Sequence, residues 1–363
     1  MLEVADIFRR HGPAYREQHR LLPSQQKALA DLVRCRTPAC GGQVYRCDHC
    51  GSEHYSYHSC GNRHCPKCHG QQTRRWLEKQ RQRFLPCPYF LLTFTLPQAL
   101  RTLVWSHQKD LYGLLLSSAA SALQKLAWDP RYVGGRLASL AVLHTWTRAL
   151  LYHPHVHLLV SAGGLAADGQ QWRPPKHPAF LVPGRALSKI FRGKFRAGLK
   201  KLGLFGHVPP AVWSTPWVVQ GQHAGRGDKV LEYLGRYVFR IAISNSRLER
   251  LENDTVTFSY RDNRTQELKH PQVSAHEFIR RFLQHVLPKG LVKVRTYGLW
   301  AANNSRKLEQ ARTLLTVAAS PAPPALRQSP APPVPPPPPR CPRCKIGHLI
   351  LVATLLPQRT RAP

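Results

Sequence analysis

The chain has 363 residues, which is long enough for one large domain or for two to three smaller ones. Its 53 lysines and arginines outnumber 19 aspartates and glutamates, so the net charge is +34, spread along the sequence. A charge of this size opposes compaction unless a polyanion neutralises it, which favours a nucleic-acid partner. Binding to a ribosome or a membrane surface, and a basic surface with no partner, are the alternatives.

Membrane insertion and secretion are not expected from the sequence. No apolar run reaches the roughly 20 residues that a membrane span needs, and the N-terminus carries charges where a signal peptide would be apolar. We therefore expect a cytosolic protein. In a reducing compartment the ten cysteines favour metal ligands over disulfides.

The first domain is expected at residues 1–84. Residues 1–34 have apolar positions at helical spacing and are predicted to be helical. Residues 35–69 are rich in cysteine, histidine and glycine and cannot build a hydrophobic core of their own. This composition is typical of a small module that a bound metal ion stabilises. Residues 70–84 are predicted to form a basic connecting helix.

Two CxxC pairs in this module predict a structural zinc site. The pairs are Cys47 with Cys50 and Cys65 with Cys68, and 14 residues separate them. Each pair presents two thiolates to one ion, and two pairs close a tetrahedral Zn²⁺ site. Cys60 and the neighbouring histidines lie close enough in sequence to replace one of the four ligands.

The second domain, residues 85–319, mixes predicted strands and helices. The predicted strands lie at 89–97, 137–146, 155–164, 254–260 and 291–298. The predicted helices lie at 98–127, 185–202, 227–243 and 274–287, the last of which opens with a capping box, and a final helix ends near residue 315. Antiparallel neighbours among these strands predict an α+β fold.

Three histidines alternate along one predicted strand of this domain, at His153, His155 and His157. Side chains two apart on a strand share a face, so the imidazoles of His155 and His157 converge on one point. Neutral imidazoles suit divalent transition metals, and they tolerate Mg²⁺ when phosphate oxygens complete its shell. His153 is a candidate third ligand, and the alternative is that these histidines only pack in the fold.

Two tyrosines, Tyr233 and Tyr237, are four residues apart in a predicted helix and therefore share a face. Arg236 and Arg240 flank them and Lys229 is near, so these three cations are candidate phosphate-binding residues. The alternative is an aromatic stripe that only packs.

The histidines and tyrosines together describe a reaction on DNA. A metal ion held by the histidine pair would polarise a phosphodiester, and a tyrosine oxygen would attack the phosphorus to leave a 5′-phosphotyrosine and a free 3′-hydroxyl. Two tyrosines allow two successive transfers without release of the first strand.

The C-terminal part divides into a linker and a tail. Residues 320–340 are dominated by proline and are predicted to be an extended linker. Residues 341–363 begin with CPRC, which is half of a zinc site, with His348 nearby. An exposed CxxC in a flexible tail is the alternative, and Cys35 and Cys40 could complete the site.

From about residue 15 to residue 315 the chain resembles the HUH endonucleases, which are named for two histidines around a hydrophobic residue, here His155-Val156-His157. It resembles more closely the rolling-circle, two-tyrosine transposases of the insertion sequence 91 family. The segments that carry the resemblance are SCGNRHCPKC for the zinc module, HPHVH with GGL for the metal strand, YLGRYVFRIAISNSRL for the tyrosine helix and EFIRRFLQHVLPKGLVKVRTYG downstream.

This resemblance implies a transposase that nicks and rejoins single-stranded DNA at insertion-sequence ends, without ATP, in the bacterial cytoplasm and associated with the nucleoid. It implies an HUH-type central antiparallel sheet with packed helices and a small N-terminal zinc-binding module. The implied cofactors are structural Zn²⁺ and catalytic Mg²⁺ or Mn²⁺, and the implied nucleophiles are Tyr233 and Tyr237. HUH enzymes usually add a third polar ligand, for which the candidates besides His153 are Gln220, Gln222 and Glu232.

Two other functions stay open at this point. A replication initiator or relaxase would use the same chemistry on a different DNA, but the zinc module and the lack of a GxxxxGK[ST] phosphate loop favour the transposase. A zinc-ribbon protein that binds DNA without catalysis would use the histidines and tyrosines only for packing.

Overall fold

The computed structural model of the chain describes residues 1–68, 76–226, 241–319 and 338–358, together with positions 230, 235 and 238. The helices are α1 (Val4–Gln18), α2 (Pro23–Arg34), α3 (Arg101–Ser106), α4 (Gln108–Ala127), α5 (Gly184–Lys201), α6 (Ala275–Leu283) and α7 (Ser305–Ala319), and residues 76–81 are also helical. The strands are β1 (Gly42–Cys47), β2 (Glu53–Tyr57), β3 (Tyr89–Thr95), β4 (Ala138–Trp146), β5 (Tyr152–Ser161), β6 (Gly164–Leu165), β7 (Trp172–Arg173), β8 (Val219–Gly225), β9 (Leu248–Glu252), β10 (Thr255–Phe258), β11 (Tyr260–Arg261), β12 (Leu268–Lys269), β13 (Gln272–Ser274), β14 (Val294–Gly298) and β15 (Leu349–Leu355).

The two N-terminal helices confirm the helical periodicity of residues 1–34. α1 buries Ile7, Phe8 and Tyr15 along one side. α2 begins at Pro23, whose fixed φ and missing N–H suit the first turn of a helix. Ahead of it, the side-chain oxygen of Gln25 accepts a hydrogen bond of 3.0 Å from the amide of residue 22.

The centre of the molecule is a five-stranded sheet in the order β14-β4-β5-β3-β8, in which every neighbouring pair is antiparallel. The histidine strand, β5, is the middle strand and pairs along its length with β4 and β3. Because a middle strand has both edges hydrogen-bonded, the backbone that carries the histidines is held on both sides.

One face of the sheet packs on α4 and α5. Val156, Leu158 and Val160 of β5 point to this face and are fully buried among residues such as Leu115 of α4 and Phe191 of α5. We call this cluster the helix core. Since side chains alternate along a strand, His155, His157 and Leu159 point to the opposite face, which we call the histidine face.

A second cluster of buried apolar side chains covers part of the histidine face, and we call it the face core. It contains Leu159 of β5, Val142 of β4 and Trp300, and also Val230 and Val238. Positions 230, 235 and 238 are helical, and the two valines, which are 0% and 3% exposed, pack in this cluster on the face that carries the histidines.

The N-terminal module and the C-terminal tail share one sheet, in the order β15-β1-β2. β15 pairs antiparallel with β1 from Gly42 opposite Leu355 to Cys47 opposite Leu349. From the sequence, the tail is expected to be separate from the N-terminal module, because pairing between strands about 300 residues apart has no local signature in the sequence.

The third buried cluster, which we call the N-terminal core, contains residues from Val4 to Val286 and joins the N-terminal helices to α6. Phe8 of α1 packs edge-on against Phe282 of α6 with ring centroids 5.1 Å apart. α6 begins as its capping box predicts, since the Ser274 hydroxyl oxygen accepts a 3.2 Å hydrogen bond from the amide of Glu277.

The structure is therefore a mixed α/β protein built on antiparallel sheets. None of the described helices combines the length and the apolar character that a membrane span requires.

Candidate metal centres

Three histidines meet on the histidine face of the central sheet. His155 and His157 lie two apart on β5, and His144 lies on β4 directly opposite His155. One ring nitrogen of each lies within 4.8 Å of those of the other two. The ring centroids of His155 and His157 are 4.9 Å apart and the rings are nearly perpendicular. Two adjacent strands thus supply three imidazoles to one point.

Hydrogen bonds orient these imidazoles for metal binding. Nδ1 of His155 donates to the backbone carbonyl of His153 at 2.7 Å, so the lone pair of the neutral ring is on Nε2. Nδ1 of His157 lies 2.9 Å from the hydroxyl of Thr93 on β3, which places its lone pair on Nε2 when Nδ1 donates. A metal-binding histidine commonly has its second nitrogen held in this way.

The third histidine of this group is His144. The strand pattern in the sequence instead predicts His153 as the third metal ligand. A guanidinium nitrogen of Arg101 lies 2.6 Å from Nδ1 of His153, and because arginine only donates, this Nδ1 must accept. Burial, and then the positive charge of Arg101, lower the pKa of His153. His153 lines the site but is outside the three-histidine group.

The histidines line a cleft of about 370 Å³ whose other walls come from β3, β4, β8 and two loops. Its lining residues are Thr93, Thr95, His144, Trp146, Thr147, Arg148, His153, His155, His157, Gln220 and Asn263. Gln220, one of the other candidate ligands, faces this cleft, whereas Gln222 does not line it. None of these lining residues is a carboxylate. Three neutral imidazoles would leave the charge of a divalent cation uncancelled, which suits a phosphate as the remaining ligand.

Four cysteines of the N-terminal module form a first zinc-type cluster, made of Cys35, Cys60, Cys65 and Cys68. The Sγ atom of Cys68 lies 3.5 Å from that of Cys35 and 3.6 Å from that of Cys60. Zinc–thiolate bonds of about 2.3 Å give a tetrahedron whose edges are about 3.8 Å, so the four thiols fit one Zn²⁺.

The thiols of this first cluster cannot all be charged without a cation. Hydrogen bonds from Cys60, and then from Cys65, lower the pKa of Cys35 to about 2, and the same bonds raise the pKa of both donors. A bound Zn²⁺ would favour the thiolate form of the cysteines that hold it.

Four of the remaining six cysteines, Cys47, Cys50, Cys341 and Cys344, form a second cluster. The single site expected from Cys47, Cys50, Cys65 and Cys68 is therefore wrong, because the structure divides these four residues between two groups. The β1–β2 hairpin turns at Cys47 and Cys50, while Cys65 and Cys68 pack beside the end of α2 in the N-terminal core. Cys60, considered as a substitute, is a full member of the first cluster.

The sequence contained a signal for this division. Eight of the ten cysteines are needed for two four-cysteine sites, and CPRC is a complete pair without a local partner. Cys40 and Cys87 lie outside both clusters, so the Cys35–Cys40 completion of the CPRC pair is also wrong.

The candidate nucleophiles and phosphate-binding residues lie outside the described residues. These are Tyr233, Tyr237, Arg236, Arg240 and Lys229, and the candidate ligand Glu232 is likewise outside. Val230 and Val238, which bracket both tyrosines in the sequence, are described and lie in the face core.

Comparison with known proteins finds two family models along this chain. Residues 139–307 match a model described as "Putative transposase", and residues 7–96 match one described as "Transposase zinc-binding domain". The first match includes all three clustered histidines, and the second includes the whole of the first cysteine cluster.

Two relatives align over most of their lengths. "Putative transposase y4qJ" of Sinorhizobium fredii is 39% identical over 343 residues, which cover 88% of this chain and 86% of the relative. "Transposase for insertion sequence element IS801" of Pseudomonas savastanoi pv. phaseolicola is 29% identical over 301 residues, which cover 78% and 72%. No solved structure matches the chain.

Proposed function

Because the chain belongs to the insertion sequence 91 family of transposases, we propose that it nicks and rejoins single-stranded DNA at insertion-sequence ends through a 5′-phosphotyrosine intermediate. The observation that carries the proposal is the cluster of His144, His155 and His157 on the middle of the central sheet. The burial of Val230 and Val238 on the same face supports it, because these residues bracket Tyr233 and Tyr237 in the sequence. An HUH-type fold is part of the proposal.

Each group in the site has a proposed role. The three histidines would hold Mg²⁺ or Mn²⁺, which supplies Lewis-acid polarisation of the scissile phosphate. One tyrosine attacks the phosphorus, so that its O–P bond forms and the bond from phosphorus to the 3′-oxygen breaks. The phenol loses its proton and the departing 3′-oxygen gains one. Because a phenol has a pKa near 10, the cations Arg236, Arg240 and Lys229 would favour the phenolate.

Strand joining reverses this step. The phosphotyrosine retains the energy of the phosphodiester, so attack by a 3′-hydroxyl releases the tyrosine without ATP. A second tyrosine can bind a second DNA strand while the first strand is still covalently attached to the other tyrosine. Tyr233 and Tyr237 would therefore each carry out one transfer.

A basic groove beside the cleft provides a path for the strand. Arg185, Lys189 and Arg192 of α5 line a second cleft of about 760 Å³, and Gln220 lines both this cleft and that of the histidines. Spacings of four and three residues place these cations along one side of α5, while Phe191 and Phe195 of the same helix are buried in the helix core. Phosphates of a single strand leaving the histidine cleft would meet this row of charges. Acting on DNA, the protein is expected in the bacterial cytoplasm with the nucleoid.

The proposal is tested with single-stranded oligonucleotides that tile the DNA on both sides of the coding sequence. Each is incubated with the purified protein and Mn²⁺, once labelled at its 3′ end and once at its 5′ end, and resolved under denaturing conditions. A 5′-phosphotyrosine retains the 3′-labelled fragment only, so we expect label on the protein with the 3′ label and a free fragment with the 5′ label.

The variants assign the chemistry. Tyr233→Phe/Tyr237→Phe should lose the covalent adduct, whereas Tyr55→Phe/Tyr57→Phe on strand β2 should retain it. His155→Ala/His157→Ala should lose the adduct while still binding DNA. Label transferred with the 5′ end contradicts the proposed polarity. Binding without adduct on every cognate end would favour a zinc-containing DNA-binding protein without catalysis.

A further inference from the structure

The second cysteine cluster joins two parts of the chain that are almost 300 residues apart. Cys47 and Cys50 come from the β1–β2 hairpin, and Cys341 and Cys344 come from the tail that follows the proline-rich segment. The matched zinc-binding domain ends at residue 96 and so contains only half of this group. We propose that these four thiolates bind a second structural zinc ion, which fastens the C-terminal tail to the N-terminal module; we call this site the zinc clasp.

The sulfur positions fit one zinc ion. Across the two chain segments, Sγ of Cys47 lies 3.6 Å from that of Cys344, and Sγ of Cys50 lies 3.8 Å from that of Cys341. These separations match the edge of about 3.8 Å expected for a tetrahedron of Zn–S bonds. They far exceed the S–S bond length of about 2.05 Å, so the pairs are not disulfides.

In both halves of the zinc clasp, a backbone amide donates a hydrogen bond to a cysteine sulfur. The amide of Cys50 donates to Sγ of Cys47 at 3.4 Å, and the amide of Gly347 donates to Sγ of Cys344 at 3.4 Å. Such N–H···S bonds favour the charged form of the sulfur, which is the form that binds metal. In both halves, the amide three residues after a cysteine donates to the sulfur of that cysteine.

The fit between tail and hairpin is close and specific at Gly347. A Cβ atom there would lie 2.7 Å from Sγ of Cys47 and 2.4 Å from a carboxylate oxygen of Asp48, so a larger residue would not fit. The same oxygen of Asp48 accepts a 2.8 Å hydrogen bond from the amide of His348. These contacts hold the tail at the distance that places its two sulfurs beside those of the hairpin.

Apolar burial alone does not explain why the tail stays on the module. The side chains of Ile350, Leu351 and Val352 on β15 are 46%, 49% and 47% exposed, so the strand adds no core of its own. A small sheet needs a buried hydrophobic face to be stable in water, which β15 does not add, and closing so long a loop has an entropic cost. Cys341, in contrast, is 1% exposed. The free energy of zinc binding can supply what the apolar contacts lack.

Zinc stoichiometry of the full-length protein tests the clasp. After removal of loosely bound metal, thiol modification in the presence of a chromogenic chelator should release two zinc ions per wild-type chain. Cys341→Ser/Cys344→Ser should release one. The matched control Cys40→Ser/Cys87→Ser changes two cysteines outside both clusters and should release two. Cys344→His replaces one ligand by another zinc ligand and should also release two.

A second measurement follows the tail directly. With a protease site introduced between residues 325 and 332 of the full chain, the tail fragment should stay with the body in gel filtration after cleavage. A chelator should release it, and the fragment carrying Cys341→Ser/Cys344→Ser should separate without a chelator. One zinc ion in the wild-type chain, or a tail that stays bound equally well in the serine variant, would overturn the proposal, whatever the outcome of the DNA assays.

Discussion

His144 is the residue that most changes the composition of the proposed catalytic metal site. It is 2% exposed, stacks on Trp146 with ring centroids 4.8 Å apart, and faces both histidines of β5. His153, on the same strand as the pair, is instead bound through Nδ1 to Arg101. Both residues line the cleft, but His144 belongs to the group of three close ring nitrogens and His153 does not.

Replacing His144 should therefore weaken metal binding more than replacing His153. We expect His144→Ala to lower Mn²⁺ affinity by at least about tenfold, because it removes one of three ligands, and His153→Ala to change it by less than about threefold. Electron paramagnetic resonance titration of Mn²⁺ measures both. His144→Gln, which keeps the side-chain volume, separates ligand loss from packing loss. A larger effect for His153→Ala would return that residue to the ligand set.

His285 should give the protein an acid-sensitive contribution to stability. It is 2% exposed, and burial lowers its pKa from 6.5 to about 4. Between these values the unfolded chain binds the proton more readily than the folded chain. The free energy of unfolding therefore falls as pH drops from about 6.5 toward 4, by up to about 3 kcal/mol from this residue. Urea titrations of wild type and His285→Gln across this range should differ in slope, and parallel curves would contradict the assignment.

At the scale of helices and strands, the sequence predicts those features that depend on the local pattern of apolar and polar residues. The apolar runs at 89–97 and 137–146 form β3 and β4, and the alternation of His155 and His157 correctly predicts a shared face. It does not predict that His144 joins them, because that requires the register of β4 against β5. A lone histidine in an apolar strand has no periodic signal of its own. The division of eight cysteines between two sites likewise depends on pairing between distant segments.

Helix α5 is the element through which the single strand should gain most of its electrostatic affinity. Arg185→Ala/Lys189→Ala/Arg192→Ala removes three cations from the groove, so the slope of log affinity against log salt concentration should become shallower by about 2. Fluorescence anisotropy with a labelled single strand measures this slope.

The control for this variant removes the same charge from the same helix. Lys194→Ala/Lys200→Ala/Lys201→Ala changes residues that do not line the groove, so its salt slope should stay close to that of the wild type. Equal effects of the two triple variants would mean that net charge alone attracts the DNA.

At the scale of the whole molecule, the first cysteine cluster belongs to a core that reaches far along the chain. Cys35, Cys65 and Cys68 are buried in the N-terminal core together with Phe278 and Phe282 of α6. The zinc module is thus packed against a segment that lies between strands β8 and β14 of the central sheet in sequence. Composition shows that residues 35–69 lack a core, but it does not show which later segment completes one.

Loss of the first cluster should consequently loosen α6 as well as the module. We expect Cys35→Ser/Cys68→Ser to increase amide hydrogen exchange in α1 and α6 and to leave α4, in the helix core, protected. Hydrogen-exchange mass spectrometry resolves these helices. Cys341→Ser/Cys344→Ser, which alters only the second cluster, should leave exchange in α6 unchanged. Uniform deprotection of α4 with α6 would show that the two cores unfold as one unit.

The order in which a ribosome delivers the thiols of the second cluster has a consequence for biosynthesis. Cys50 is made 291 residues before Cys341, its neighbour in space. At 5–20 residues per second, the hairpin waits about 15–60 s for the partners that complete its ligand set. A polypeptide released before residue 341 carries Cys47 and Cys50 without their partners, so only a chain translated past Cys344 can form the zinc clasp.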